Sequence, residues 1–165
     1  MIRVAFFDTK PYDRKYFDAV KPEDMKIHYF EGRLKSDTVS VVDGFDAVCS
    51  FVNDDLNREV VDRLCALNIK LIALRSAGFN HVDVRAAAGR IPVVRVPGYS
   101  PNAVAEHAMA LLLCLNRKLF RAYTRTRDHN FSLTGLTGFD LNGRVVGVIG
   151  TGRIGRVFID ICRGF

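Results

Sequence analysis

The chain has 165 residues, of which 48% are hydrophobic and 25% charged, with four cysteines and a formal net charge of +6. These proportions belong to a soluble globular protein and exclude a disordered chain, a collagen-like fibre and a coiled coil. No apolar run approaches the roughly 18 residues a membrane-spanning helix needs, and the N-terminus meets Asp8 and Pro11 too early for a secretory leader, so a cytoplasmic location is expected.

Strands and helices alternate through the first hundred residues. Ile2–Phe7 is an apolar run ending in Asp8 and Thr9, which predicts a buried strand with a polar loop at its carboxyl end. Tyr12–Val20 carries apolar residues at helical spacing. Lys26–Phe30 and Ala47–Phe51 read as the second and third strands. Asn57 precedes a helix through Leu67, with Val60, Val61, Leu64 and Leu67 on one face and Asn57 as its cap. Leu71–Leu74 is a fourth strand, Asp83 caps a short helix over Val84–Ala88, and Val93–Val96 is a fifth strand. Apolar strands without alternation, separated by amphipathic helices, predict a parallel sheet covered on both faces, an α/β flavodoxin-like doubly wound unit.

Pro97-Gly98 interrupts the pattern, and Ser100-Pro101 then reads as a hydroxyl cap followed by proline at the first helical position. One long helix is predicted from Asn102 to Tyr123, apolar around most of its circumference and therefore buried between two domains. Within it, His107 is expected to be a satisfied core histidine, and Glu106 to bind a basic or backbone neighbour. Residues Thr124–Arg144 read as a polar connection, and Val145–Ile149 as a new strand running into a helix through Ile161. The expected domains are 1–100, a linking helix over 101–123, and the start of a second domain over 124–165.

Cys49, Cys65, Cys114 and Cys162 lack metal spacing and sit among apolar neighbours, so buried free thiols are expected, with a disulfide or a reactive thiol as the alternative. Charge is uneven, with +5 of the net +6 falling in residues 101–165. Arg117, Lys118, Arg121, Arg125 and Arg127 supply much of it. They read as a solvated or subunit-facing helix side rather than a nucleic-acid patch, because no nucleic-acid-binding motif accompanies them.

Two segments carry candidate chemistry. The first is VVGVIGTGRIG, in which a strand meets Gly150, Gly152 and Gly155 in G-x-G-x-x-G spacing and a helix follows. Gly150 permits the tight turn, Gly152 leaves space for a pyrophosphate, and Gly155 lets helix and strand approach. The amides of Arg153 and Ile154 then face the phosphates with the helix dipole behind them. A ribose-binding acidic residue would stand about 20 residues further on, past Phe165, so the spacing leaves NAD and NADP both open. The second segment is Arg75-Ser76-Ala77-Gly78, after the fourth strand. Ala77 and Gly78 read either as a nest of N–H groups for a carboxylate or as a plain turn. Tyr99 stands at the same sheet edge, pointing into a cleft or packing as an ordinary aromatic. His81 is expected to be polar trim or a cap. No G-x-S-x-G, H-E-x-x-H, P-loop lysine or zinc constellation occurs, so no metal is expected.

Together RSAGFNHVD, VRVPGYSPNAVAEHA and the run from RAYTRTRDHN through VVGVIGTGRIG resemble the D-isomer-specific 2-hydroxyacid dehydrogenases over essentially the whole chain. AFFDTKPYD and FVNDD are similar to the fermentative NAD-dependent D-lactate dehydrogenases of bacteria in that family. The resemblance implies a substrate-binding domain followed by the first βα unit of a Rossmann NAD domain, with NAD as cofactor and pyruvate reduced to D-lactate. It implies that Ala77, Gly78 and Tyr99 meet the substrate, and that Val104, Gly150, Gly152, Arg153, Ile154 and Gly155 meet NAD. It places the catalytic Arg, Glu and His past Phe165. The chain is therefore expected to be an N-terminal half, inactive alone, of a homo-oligomeric protein with a small 2-oxoacid substrate and no nucleic-acid or membrane partner. Two alternatives stand beside this reading. One is a dehydrogenase of another 2-oxoacid such as glyoxylate or hydroxypyruvate, and the other is an NAD-sensing regulatory protein on the same scaffold.

Overall fold

β1 (Ile2–Phe6) lies between β2 (Met25–Tyr29) and β3 (Ala47–Ser50), with β4 (Leu71–Leu74) and β5 (Val93–Arg95) extending the sheet beyond β3. All four pairings are parallel and the order is β2-β1-β3-β4-β5, the flavodoxin-like arrangement. The computed structural model describes all of residues 1–165 and divides into two compact units, Met1–Tyr99 and Ser100–Phe165.

In the first unit the crossovers carry α1 (Pro11–Val20), α2 (Arg58–Ala66) and α3 (Val84–Ala87), plus a 3-10 turn over Val39–Val42. Their starts follow from local chemistry. The Asn57 side chain accepts from the Val60 amide at 3.1 Å, and Asp83 accepts from the Arg85 and Ala86 amides at 3.0 and 2.9 Å, satisfying donors that a helix start leaves free. α1 begins with Pro11 at its first position, and the Asp13 carboxylate accepts from the Lys10 amide at 2.7 Å. The core gathers Phe7, Leu34, Val48, Val60, Leu64 and Ile72, all essentially without exposed surface. Each such side chain contributes about 1.5–3 kcal/mol by leaving water.

The second unit packs α6 (Arg153–Cys162) and α5 (Leu119–Arg127) against α4 (Pro101–Asn116). Ser100 caps α4 by accepting from the Ala103 amide at 3.2 Å. The single helix expected over Asn102–Tyr123 is in fact two, because Lys118 adopts a left-handed φ of 54°. Side-chain chemistry explains the break. The Asn116 amide group donates to the Phe139 carbonyl at 2.7 Å and accepts from the Phe139 N–H at 3.0 Å. A Cβ at Gly138 would collide with the Asn116 carbonyl oxygen, so the chain at 138–139 closes over the end of α4. The polar connection consequently starts after Arg127 instead of at Thr124.

Burial on α4 also differs from expectation. Ala105, Met109 and Asn116 are buried, but Val104, Leu111 and Leu115 are exposed, because α5 and α6 cover only part of its circumference. His107 and Glu106 are exposed too and make no side-chain hydrogen bond, so neither is the satisfied group expected. Val145–Ile149 forms no strand. Its sequence fits a pleated ladder, but all five strands belong to the first unit's sheet and nothing in 100–165 pairs with it, leaving Val145 and Ile149 fully exposed. The four cysteines are free. Cys49 is buried, Cys65 and Cys162 are half-buried, and Cys114 is exposed on the open side of α4, contrary to the expectation of four buried thiols. No helix is long and apolar enough to cross a membrane.

Candidate active site

The carboxyl ends of β1, β3, β4 and β5 bring their following loops to one edge of the sheet, the position where open α/β sheets hold ligands. A cavity of about 710 Å³ lies there, with Arg75, Ala77, Gly78 and Tyr99 in its wall alongside Tyr12 and Phe51.

The turn Ser76–Gly78 has a one-sided hydrogen-bond pattern. Its three carbonyls are all taken: Ser76 O by the Val96 amide at 3.3 Å, Ala77 O by Arg95 Nη1 at 2.7 Å, and Gly78 O by Ser76 Oγ at 2.7 Å. The Ala77 and Gly78 amides donate to no protein acceptor. Two adjacent N–H groups beside a cavity, with their carbonyls turned into other bonds, form a concavity of positive partial charge suited to a carboxylate. Tyr99 is 60% exposed and forms part of the cavity wall.

Beneath this turn lies a buried polar cluster that the sequence reading passed over. Arg75 donates from Nη2 to the Phe7 and Asp8 carbonyls, both at 2.7 Å, and its Nη1 stands 3.6 Å from the Asp13 carboxylate. Asp8 receives Lys10 Nζ at 2.7 Å and Asn53 Nδ2 at 3.1 Å. Burial opposes ionisation of Asp8, but these hydrogen bonds outweigh it and hold the carboxyl below its ordinary range. Asp54 accepts from the Leu34 and Phe51 amides, at 2.8 and 2.7 Å, and ties the Phe51 loop down. Burial of Asp54 nevertheless pushes its carboxyl up. Burial likewise pushes the Cys49 thiol up to about 12, with the Arg75 cation acting in the opposite sense. The sequence signal for this cluster was a lone arginine ending the apolar run LIAL, with Asp8 and Asp13 following β1.

In the second unit, residues of the glycine motif line a pocket of about 490 Å³ with Ala105, Ala108 and Phe158. Gly150 has φ +95°, a left-handed turn that favours glycine. A Cβ at Gly155 would collide with the Gly150 carbonyl oxygen, whereas one at Gly152 would meet nothing. The start of α6 has neither a side-chain cap nor an acidic residue in its first turn, so its leading amides stay available to an anion. These residues fit a dinucleotide pyrophosphate. Val104 belongs to the first turn of α4 but stays outside this pocket wall, half-exposed.

Neither histidine considered for chemistry enters the substrate-side cavity. His81 Nε2 is buried without a partner, and burial holds its pKa down. His107 is exposed on α4.

Residues 4–141 match the family model described as D-isomer specific 2-hydroxyacid dehydrogenase, catalytic domain. The chain belongs to that family, whose members are oxidoreductases. It is 49% identical to a 2-hydroxyacid dehydrogenase homolog of Haemophilus influenzae, over 99% of this chain and 50% of that protein. The apo-structure of D-lactate dehydrogenase from Escherichia coli superposes with a TM-score of 0.88 at 48% identity, covering 99% of this chain and 52% of the other. D-lactate dehydrogenase from Aquifex aeolicus, complexed with NAD and lactic acid, gives a TM-score of 0.80 at 30% identity, over 98% of this chain and 48% of that one. The chain thus spans about half the length of the curated relatives it matches.

Proposed function

We propose that this chain carries the substrate-carboxylate site and the pyrophosphate loop of an NAD-dependent dehydrogenase that reduces pyruvate to D-lactate. The observation that carries this reading is the pair of unpartnered amides at Ala77 and Gly78 in the cavity wall. A 2-oxoacid presents a carboxylate next to its reacting carbonyl, so fixing the carboxylate orients the carbon that reacts. Tyr99 offers a phenol to the same ligand. On the cofactor side, Gly150, Gly152 and Gly155 shape the loop, and Arg153 and Ile154 supply amides at the start of α6. Val104 is the apolar contact assigned to the nicotinamide. Bound there, the reduced cofactor would supply the hydride that the carbonyl carbon takes up. On this reading Met1–Tyr99 belongs to the substrate-binding domain and the glycine motif opens the cofactor domain, and the same sites would serve a homo-oligomeric enzyme.

The relatives named for D-lactate dehydrogenation, and the one complexed with NAD and lactic acid, support this substrate over glyoxylate or hydroxypyruvate. Amide NMR of the chain titrated with sodium pyruvate tests the reading. The Ala77 and Gly78 signals are expected to move in a saturable way, and equal movement with sodium chloride at matched ionic strength would overturn it.

A further inference from the structure

Arg75 follows β4, yet its side chain reaches across β3 to the end of β1 and the start of α1. Five contacts hold it. Two hydrogen bonds go to the Phe7 and Asp8 carbonyls, at 2.7 Å each, and the Asp13 carboxylate stands 3.6 Å away. The guanidinium lies 4.6 Å from the centroid of the Phe6 ring and 4.3 Å from that of Phe51, so two aromatic rings flank it. Its side chain is only 10% exposed, and its buried Nε–H has no hydrogen-bond acceptor. A buried N–H without an acceptor is costly and persists where surrounding contacts over-determine the geometry. The arginine backbone is fixed as well, since its amide donates to the Ser50 carbonyl at 3.1 Å. The next residue is Ser76, the first of the turn with free amides.

We propose that Arg75 is a positioning residue for substrate. Its clamped guanidinium locks the Ser76–Gly78 turn to the loops after β1 and β3, and so fixes where the Ala77 and Gly78 amides point. This inference rests on the carboxylate reading of that turn. The clamp needs the planar fork and not merely the charge. Two carbonyls, a carboxylate and two ring faces are met at once, and a lysine ammonium cannot reproduce that set. The loop after β3 takes part in the same lock, because Phe51 both flanks the guanidinium and lines the cavity, while Asp54 holds its amide.

The experiment compares pyruvate binding, read from the Ala77 and Gly78 amide signals, in the wild-type chain, Arg75→Lys, and Leu64→Ala. Leu64 is buried in the core and lines no part of the cavity, so its variant reports what general destabilisation does to binding. Arg75→Lys is expected to raise the pyruvate Kd about ten-fold, the loss of one charge-assisted hydrogen bond from a misdirected amide to the carboxylate. Leu64→Ala is expected to lower the thermal midpoint and leave Kd unchanged while the protein is folded. If Arg75→Lys does not fold, Phe6→Leu, which removes one flanking ring, keeps the arginine and leaves the cavity wall untouched, is expected to weaken binding several-fold. Folded Arg75→Lys binding within two-fold of wild type, or Phe6→Leu doing so in its place, overturns the proposal. Wild-type amides that fail to respond to pyruvate overturn the carboxylate reading itself, and this inference with it.

Discussion

Gly155 on the first turn of α6 lies against the carbonyl of Gly150, five residues earlier, with no room between them for even a methyl group. Gly152, between the two, faces open space. One glycine is therefore required by packing within the unit, and the other leaves volume that the protein itself does not use.

This contrast separates stability from ligand binding. Gly155→Ala is expected to cost about 1–3 kcal/mol through overpacking, seen as faster hydrogen exchange along α6. Gly152→Ala keeps an ordinary φ of −71° and is expected to change stability by less than about 0.5 kcal/mol. NADH binding, followed by fluorescence, should weaken in both. If Gly152→Ala binds NADH like wild type, its space is not the pyrophosphate's.

Acid should loosen the first unit before its carboxylates titrate. His28 on β2 packs edge-on against Phe45 with centroids 5.0 Å apart, and its Nε2 is buried without a partner. Burial, then the Lys26 and Arg3 charges, hold its pKa below the ordinary 6.5. His81 is lowered too, chiefly by burial. The unfolded chain therefore binds more protons in this range, and stability is full above the unfolded value and falls as pH drops through it. Urea midpoints should decline from about pH 7.5 to 5.5, and His28→Phe should flatten part of the decline. An unchanged slope in that variant would assign the effect elsewhere.

The four thiols should react in order of exposure. Cys114 is exposed, Cys65 and Cys162 are half-buried, and Cys49 is buried with its pKa pushed up to about 12. Maleimide labelling of the native chain followed by peptide mapping should find Cys114 first and Cys49 last, since thiolate fraction and access set the rate. Early labelling of Cys49 would mean that the strand end opens readily.

No histidine lines the substrate-side cavity. General acid catalysis contributes about 10²–10⁴ in rate, so the 165-residue chain is expected to show no detectable NADH oxidation with pyruvate. Measurable turnover by the purified chain would overturn this expectation.

Much of the first unit was legible because its signals are local. Leu71–Leu74 forms the predicted strand residue for residue, and Asn57 and Asp83 cap the helices they precede. The turn at Ala77-Gly78 was legible for the same reason. What the sequence hid is what depends on distant partners. The apolar rhythm runs on from Leu115 through Leu119 and Tyr123, and nothing in it reveals that Phe139 captures the Asn116 side chain and stops the helix. Val145–Ile149 has strand composition, but a strand exists only where a neighbour completes its ladder. The clamp around Arg75 left no local signal, because the carbonyls it binds lie 67 and 68 residues away in the chain.

The bond between Asn116 and Phe139 joins positions 23 residues apart and turns the intervening chain, α5 included, into a closed appendage fastened at its base. Loop-closure entropy grows only slowly with length, so such an appendage tolerates editing at its tip. Phe131 and Leu133 are among its exposed residues, at 73% and 80%. A peptide tag inserted there, or new chain termini cut there, would leave α4 and α6 packed while the clamp stays intact, which makes 131–136 the natural entry point for engineering this chain.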